Sequence, residues 1–261
     1  MSFKVCGKLA IIEEEKIKRI LIAGDLHGDL QSFNSIKKLF KPEKDLLIFL
    51  GDYADRGENG VEVIEGVREL IEKYEKNVVA LKGNHEDYSK DGKPNFVPCT
   101  LISEVEEKIG NWEKYFDELK ENFLSKLKLA ALIPHKILFV HGGISSKIKS
   151  LKDLENPSKE IEEDILWSDP YPMNGEFPNP RGAGILFGPD ITQEVTKRLN
   201  VKYVIRSHEP RKAFVFPAIE HEGKVITLSS TRVYGGKPFL IIIKPNVFES
   251  KNVEEDVIHL G

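Results

Sequence analysis

Cysteine, methionine and glutamine each occur only twice in this 261-residue chain. Cys6 and Cys99 stand isolated from one another, which fits neither a disulfide framework nor a thiolate metal site. With 31% charged residues, that scarcity matches the bias of proteins from hot environments, and a thermophilic source is expected. A basic excess is also missing: 38 Lys and Arg face 42 Asp and Glu, a formal charge of -4, so nucleic acid is not the expected partner. Long apolar runs are absent too. Those at 46–50 and 239–243 hold five residues each, far short of the roughly 20 needed to span a bilayer. The early apolar stretch 9–12 meets Glu13, Glu14 and Glu15 at once, unlike a secretory signal, so the expectation is no membrane association and a cytoplasmic location.

What is present is enough apolar material, 40%, to bury a full core in one domain spanning 1–261, with a charged, loosely held tail after about residue 245. Runs rich in Ile, Val and Leu at 19–23, 46–50, 78–81, 137–140 and 203–205 read as buried strands. Between them, 30–40, 60–74 and 111–132 carry apolar residues at helical spacing, for example Val61, Ile64, Val67, Leu70 and Ile71. After Pro210 the pattern changes to close-spaced strands at 213–217, 224–228 and 238–243. Residues 174–189, rich in glycine and proline, read as a loop. The expected fold is α/β, a β-sandwich of mixed sheets flanked by helices.

The strands end in chemistry. Gly24-Asp25-Leu26-His27-Gly28 follows the first, Gly51-Asp52-Tyr53-Ala54-Asp55-Arg56-Gly57 the second and Gly83-Asn84-His85-Glu86 the third. His141-Gly142-Gly143 and Arg206-Ser207-His208 close later ones. A single Asp or His after a strand is ordinarily a turn or cap residue. Five such ends, each placing Asp, Asn or His at the carboxyl edge where α/β sheets bind ligands, point instead to one shared site.

Carboxylate, amide oxygen and imidazole are borderline to hard donors that suit Mn, Fe or Zn. Asp25 and His27 can reach one ion together. A carboxylate with about four lone-pair sites can bridge two ions, a role open to Asp52. Asn84, His141 and His208 complete the second set. Two such ions would hold an attacking water and steady a developing oxyanion, which is phosphoester hydrolysis.

These motifs, in this order and together with Leu166-Trp167-Ser168-Asp169-Pro170, Arg181-Gly182, Thr227-Leu228 and Tyr234, resemble the phosphoprotein phosphatase family of Ser/Thr phosphatases, within the calcineurin-like metallophosphoesterase superfamily. The resemblance covers roughly 18–240. It implies a metallophosphoesterase-type fold and two divalent cations, manganese first with iron or zinc as alternatives. Asp25, His27 and Asp52 would bind one ion; Asp52, Asn84, His141 and His208 the other. Arg56 and Arg181 would hold the phosphate, with Tyr234 at the place of the family's active-site tyrosine. His85 would be the general acid, oriented by Asp55. These roles also make chemical sense by themselves: a planar guanidinium suits phosphate, and an imidazole beside a carboxylate suits proton donation near neutral pH. Glu86 and Asp169 read as supports, and His135, His221 and His259 as bystanders.

Many family members carry Ser-x-Pro-Asn-Tyr-Cys where this chain has Ser230-Thr231-Arg232-Val233-Tyr234-Gly235. The loop facing the cleft therefore differs in charge and lacks the cysteine. From the length, no regulatory C-terminal extension is expected, so phosphoprotein substrates and no obligatory regulatory subunit are the expectation. The competing reading is a dinucleoside polyphosphate hydrolase of the same superfamily, which would share the metal motifs and Arg56.

Overall fold

The computed structural model describes residues 2–13, 17–244 and 248–261. Seven strands form one sheet in the order β1 (Phe3–Cys6), β2 (Leu9–Ile12), β6 (Ala130–Ile133), β7 (Ile137–Val140), β11 (Tyr203–Arg206), β13 (Val225–Thr227) and β12 (Ala218–Glu220). Five form a second: β15 (Val257–His259), β14 (Phe239–Ile243), β3 (Arg19–Ala23), β4 (Asp45–Phe49) and β5 (Val78–Ala80). A small third sheet holds β8 (Asp169–Pro170), β10 (Ile185–Phe187) and β9 (Glu176–Pro178).

The two large sheets pack face to face, and strand alternation sends successive side chains to opposite layers. Ile20, Ile22, Leu46 and Ile48 meet Ile137, Phe139, Ile205 and Ile226 between the sheets. Leu21, Leu47 and Phe49 point the other way, into helices α1 (Leu30–Leu39), α2 (Gly60–Lys73), α3 (Leu101–Lys108) and α4 (Trp112–Asn122). Leu138 and Val140 turn outward from the first sheet onto α5 (Leu151–Glu155), α6 (Lys159–Trp167) and α7 (Pro189–Leu199). Strands apolar on both faces are what two covering layers require.

Four details correct the sequence reading. The helix expected over 111–132 ends at Asn122, and Ala130–Ile133 is a strand between β2 and β7; an unbroken apolar run cannot distinguish the two forms by period. Residues 213–217 form turns with Phe214 and Phe216 exposed, and the strand begins only after Pro217, which has no N–H for a ladder. The expected loop 174–189 contains the β9–β10 hairpin. The tail is not loose where it is described: β15 pairs with β14, and Val253 and Leu260 are buried. Residues 245–247 lie outside the described residues.

Parallel pairing places the chemistry. Ala23, Phe49 and Ala80 share one register line across β3, β4 and β5, so the segments that follow leave the sheet side by side. Likewise β7 and β11 run parallel, and Ser207 N donates to His141 O at 2.9 Å. A parallel bridge between Asp25 and Ser229 joins these ends across the sandwich.

Candidate metal and active site

Each strand end turns sharply, and several polar residues accept unfavourable backbone to do so. His27 (φ 46°), Asp52 (57°), Asp55 (66°), Arg56 (71°) and His208 (72°) all lie in the left-handed region, a conformation that costs about 1–3 kcal/mol each and persists only when surroundings impose it. Here they do: Leu26 N and His27 N both donate to Asp52 O at 2.9 Å, and Gly28 N donates to Tyr53 O at 2.8 Å. Glu86 adds a second tie by accepting from the backbone N–H of Asp52 (2.9 Å), Tyr53 (3.0 Å) and Gly83 (2.8 Å). Gly83 has to be glycine, since a Cβ there would strike Asp52 Oδ1.

Held this way, the acceptors face one another. His27 Nδ1–H donates to Ala54 O at 3.0 Å, leaving the Nε2 lone pair 3.4 Å from Asp52 Oδ2 and 3.9 Å from Asp25 Oδ2. His141 Nδ1–H donates to Leu50 O at 2.9 Å, leaving its Nε2 3.4 Å from Asp52 Oδ1 and 3.0 Å from Asn84 Oδ1. His208 Nδ1 reaches the same point, 2.9 Å from Asn84 Oδ1 and 3.2 Å from His141 Nε2. Asp25 Oδ2 is buried with no hydrogen-bond partner. Converging lone pairs without a donor between them fit cations, and Asp52 has one oxygen toward each cluster.

Electrostatics agree with that fit. Burial lowers His27 and His141 to about 4 and takes His208 well below its ordinary value, so all three imidazoles are neutral, the ligand form. Burial first, then repulsion from Asp25 and Glu86, holds the Asp52 carboxyl well above the usual carboxylate range. Burial pushes Glu86 up to about 7 against its three N–H donors.

Residues beside these two clusters line a cleft of about 470 Å³. His85 Nδ1–H donates to Asp55 Oδ2 at 2.8 Å, while Asp55 Oδ1 accepts from Thr100 N (2.6 Å) and Leu101 N (2.8 Å) and is thereby fixed. The same cleft is lined by Arg56, exposed, and Arg181, whose Nε donates to Asp169 Oδ2 at 2.8 Å. Tyr234 Oη lies 3.5 Å from His27 Nε2, and burial pushes its hydroxyl up to about 12. All eleven residues singled out from the sequence thus meet in or beside one cleft.

The profile of calcineurin-like phosphoesterases matches residues 18–212. The chain belongs to the calcineurin-like phosphoesterase family. It is 34% identical over 222 residues to a serine/threonine-protein phosphatase of Caenorhabditis elegans, covering 78% of this chain and 46% of that one. Serine/threonine-protein phosphatase 5 of Arabidopsis thaliana is 32% identical over 227 residues, covering 83% of this chain and 40% of its own length. The chain therefore spans less than half of either relative. A solved protein serine/threonine phosphatase from Saccharomyces cerevisiae superposes with a TM-score of 0.77 at 27% identity, over 97% of this chain and 82% of that one.

Several supports of the candidate site went unread in the sequence. Ser207 Oγ donates to Asp25 Oδ1, which also accepts from His208 N at 3.0 Å. Arg206, fully buried, joins Asp169 Oδ1 (2.8 Å) to Glu209 Oε2 (2.6 Å) and braces the Arg181 partner from behind. Phe96 packs on His85 with ring centroids 4.6 Å apart. Arg232 does not present its charge to the cleft: it bonds Asp29, the N-cap of α1, at 3.1 Å and Gln31 at 2.6 Å. His221 is no bystander either. Its Nε2–H donates to Tyr171 O at 2.9 Å and its Nδ1 accepts from Thr192 at 2.7 Å, tying α7 to the segment after β8.

Proposed function

We propose that this chain hydrolyses phosphoserine and phosphothreonine monoesters in proteins. The reading rests chiefly on one arrangement: the His85–Asp55 pair beside the lone-pair clusters, with Arg56 and Arg181 in the same cleft. The names of its relatives favour the same chemistry.

Asp25, His27 and Asp52 would hold one divalent cation, and Asp52, Asn84, His141 and His208 a second, manganese first with iron or zinc as alternatives. Such ions supply Lewis acidity toward the phosphoryl oxygens and a nucleophile at neutral pH. The rest falls to the protein. Arg56 and Arg181 grip phosphoryl oxygens, Arg181 kept in line by Asp169. Asp55 holds the Nδ1–H of His85, so the other ring nitrogen is the one that gives a proton to the departing serine or threonine oxygen. Phe96, Trp167 and Tyr234 wall the cleft and limit stray water. The enzyme would work in the cytoplasm on phosphoproteins without an obligatory regulatory subunit.

Turnover of a phosphoserine peptide and of diadenosine tetraphosphate, measured side by side with manganese, tests the reading. Peptide hydrolysis with negligible dinucleotide cleavage is expected. The reverse preference would replace it with dinucleoside polyphosphate hydrolysis.

A further inference from the structure

A second groove, of about 360 Å³, opens off the cleft and shares Arg56, Arg181, His208 and Tyr234 with it. Its remaining charged residues are Glu209, Arg211 and Lys212, and their charges do not cancel. The Glu209 carboxylate is already engaged by Arg206 Nη1 at 2.6 Å and Lys212 Nζ at 2.9 Å. Lys212 is held further by Glu220 at 3.1 Å. Arg181 has Asp169. Arg56 and Arg211 have no carboxylate partner among the described residues, and Arg56 is the one assigned to the scissile phosphate; Arg211 is exposed, its guanidinium 5.9 Å from the centroid of the Tyr234 ring. That distance is within cation–π range and holds the group at the rim shared by groove and cleft.

We infer that this groove is a second anion subsite, in which Arg211 receives a carboxylate or a further phosphate carried by the substrate beside the scissile phosphoester. The inference rests on the protein-phosphatase reading and names its substrate class: phosphoserine or phosphothreonine flanked by acidic or additionally phosphorylated residues. An ester whose sole anionic group is the scissile phosphate, engaged by Arg56 and Arg181, leaves Arg211 uncompensated, whereas a substrate with a second anionic group satisfies both places. A guanidinium fork fits carboxylate and phosphate equally, so the geometry selects charge and position before chemical identity. An extended peptide advances about 3.3 Å per residue, which brings the side chains within a few positions of the phosphoresidue into a groove contiguous with the cleft.

The test compares kcat/KM on phosphoserine peptides whose flanking positions are all Ala, all Glu, all Lys, or carry a second phosphoserine. Wild type, Arg211→Ala and Arg211→Glu are assayed with manganese, and p-nitrophenyl phosphate serves as the ester without a second anion. Wild type should favour the Glu or doubly phosphorylated peptide over the Ala peptide by about three- to tenfold, a range between exposed ion pairs and charge-assisted hydrogen bonds. Arg211→Ala should erase that preference and leave p-nitrophenyl phosphate turnover unchanged; Arg211→Glu should turn it toward the Lys peptide. Preference for the doubly phosphorylated peptide alone assigns the subsite to phosphate, and preference shared with Glu assigns it to anions generally. Equal rates on Ala and acidic peptides, or a preference that survives Arg211→Ala, overturns the inference while leaving the phosphatase reading intact. Hydrolysis of p-nitrophenyl phosphate with none of any peptide overturns the phosphatase reading, and this inference with it.

Discussion

At His85 two roles compete, because its ring joins His27 and Asp52 in one cluster of ligand atoms while its Nδ1–H is committed to Asp55. The two roles differ in which substrates they serve. A general acid contributes about 10² to 10⁴ in rate, and that help matters most for a poor leaving group such as a serine alkoxide. His85→Asn is therefore expected to keep its metal content by elemental analysis, yet to lose far more activity on a phosphoserine peptide than on p-nitrophenyl phosphate. Equal losses accompanied by lost metal would make His85 a ligand. Asp55→Asn should follow the same pattern more weakly: Asn keeps an oxygen for the Thr100 and Leu101 N–H groups but cannot use its NH₂ as an acceptor for the imidazole. The candidate ligands were legible as a set, since all stand at strand ends and all but His208 adjoin a glycine. Their supports were not, because nothing in Ser207, Arg206 or Phe96 announces that it will meet Asp25, Asp169 or His85.

Secondary structure was most legible where a single force shaped it. The strands β3, β4, β7 and β11 and the helices α1 and α2 lie within a residue of expectation, because two-sided burial writes unbroken apolar runs and one-sided burial writes helical spacing. Between 123 and 133 both patterns overlap, and pairing with β2 and β7 decides the outcome. The β9–β10 hairpin was hidden by glycine and proline although the segment between its strands carries Arg181 into the cleft. Its brace yields a prediction about magnitude. Arg206 is fully buried, so Asp169→Ala, which removes one of its two carboxylates, should destabilise the protein by about 3–5 kcal/mol in chemical denaturation. Glu69→Ala, at an exposed pair with Lys37, should cost no more than about 1 kcal/mol. The α7 tie predicts a pH effect. Burial lowers the His221 pKa, so the unfolded chain, with an ordinary value of about 6.5, takes up the proton first as pH falls. The contribution of His221 to stability is then full above that value and declines below it. Relative to wild type, His221→Leu should unfold more easily at neutral pH, and the gap should narrow in mild acid; a pH-independent gap would contradict the assignment.

Taken whole, the molecule spends stability on its site. Neutral imidazoles, a raised Asp52 carboxyl and five left-handed backbones converge where both sheets end. Among the described residues no helix is long and apolar enough to cross a membrane, and three apolar layers carry the cost of that polar seam. Cations that bind only the folded chain should offset the cost by mass action. At about 100 times the dissociation constant such binding adds about 2.7 kcal/mol, enough to be seen as a higher midpoint temperature with manganese and a lower one with chelator. Asp52→Asn separates the two sides of this balance. It removes one of the buried carboxylates that repel each other while leaving an oxygen to accept from His85 N, so the metal-free variant should unfold at a higher temperature than metal-free wild type. Because the same residue is proposed to face both ions, the variant should also lose the manganese-dependent rise and most of its activity. A metal-free variant less stable than metal-free wild type would mean that Asp52 holds the fold together through its hydrogen bonds, and that the charge gathered at the strand ends is not held against the protein's own stability.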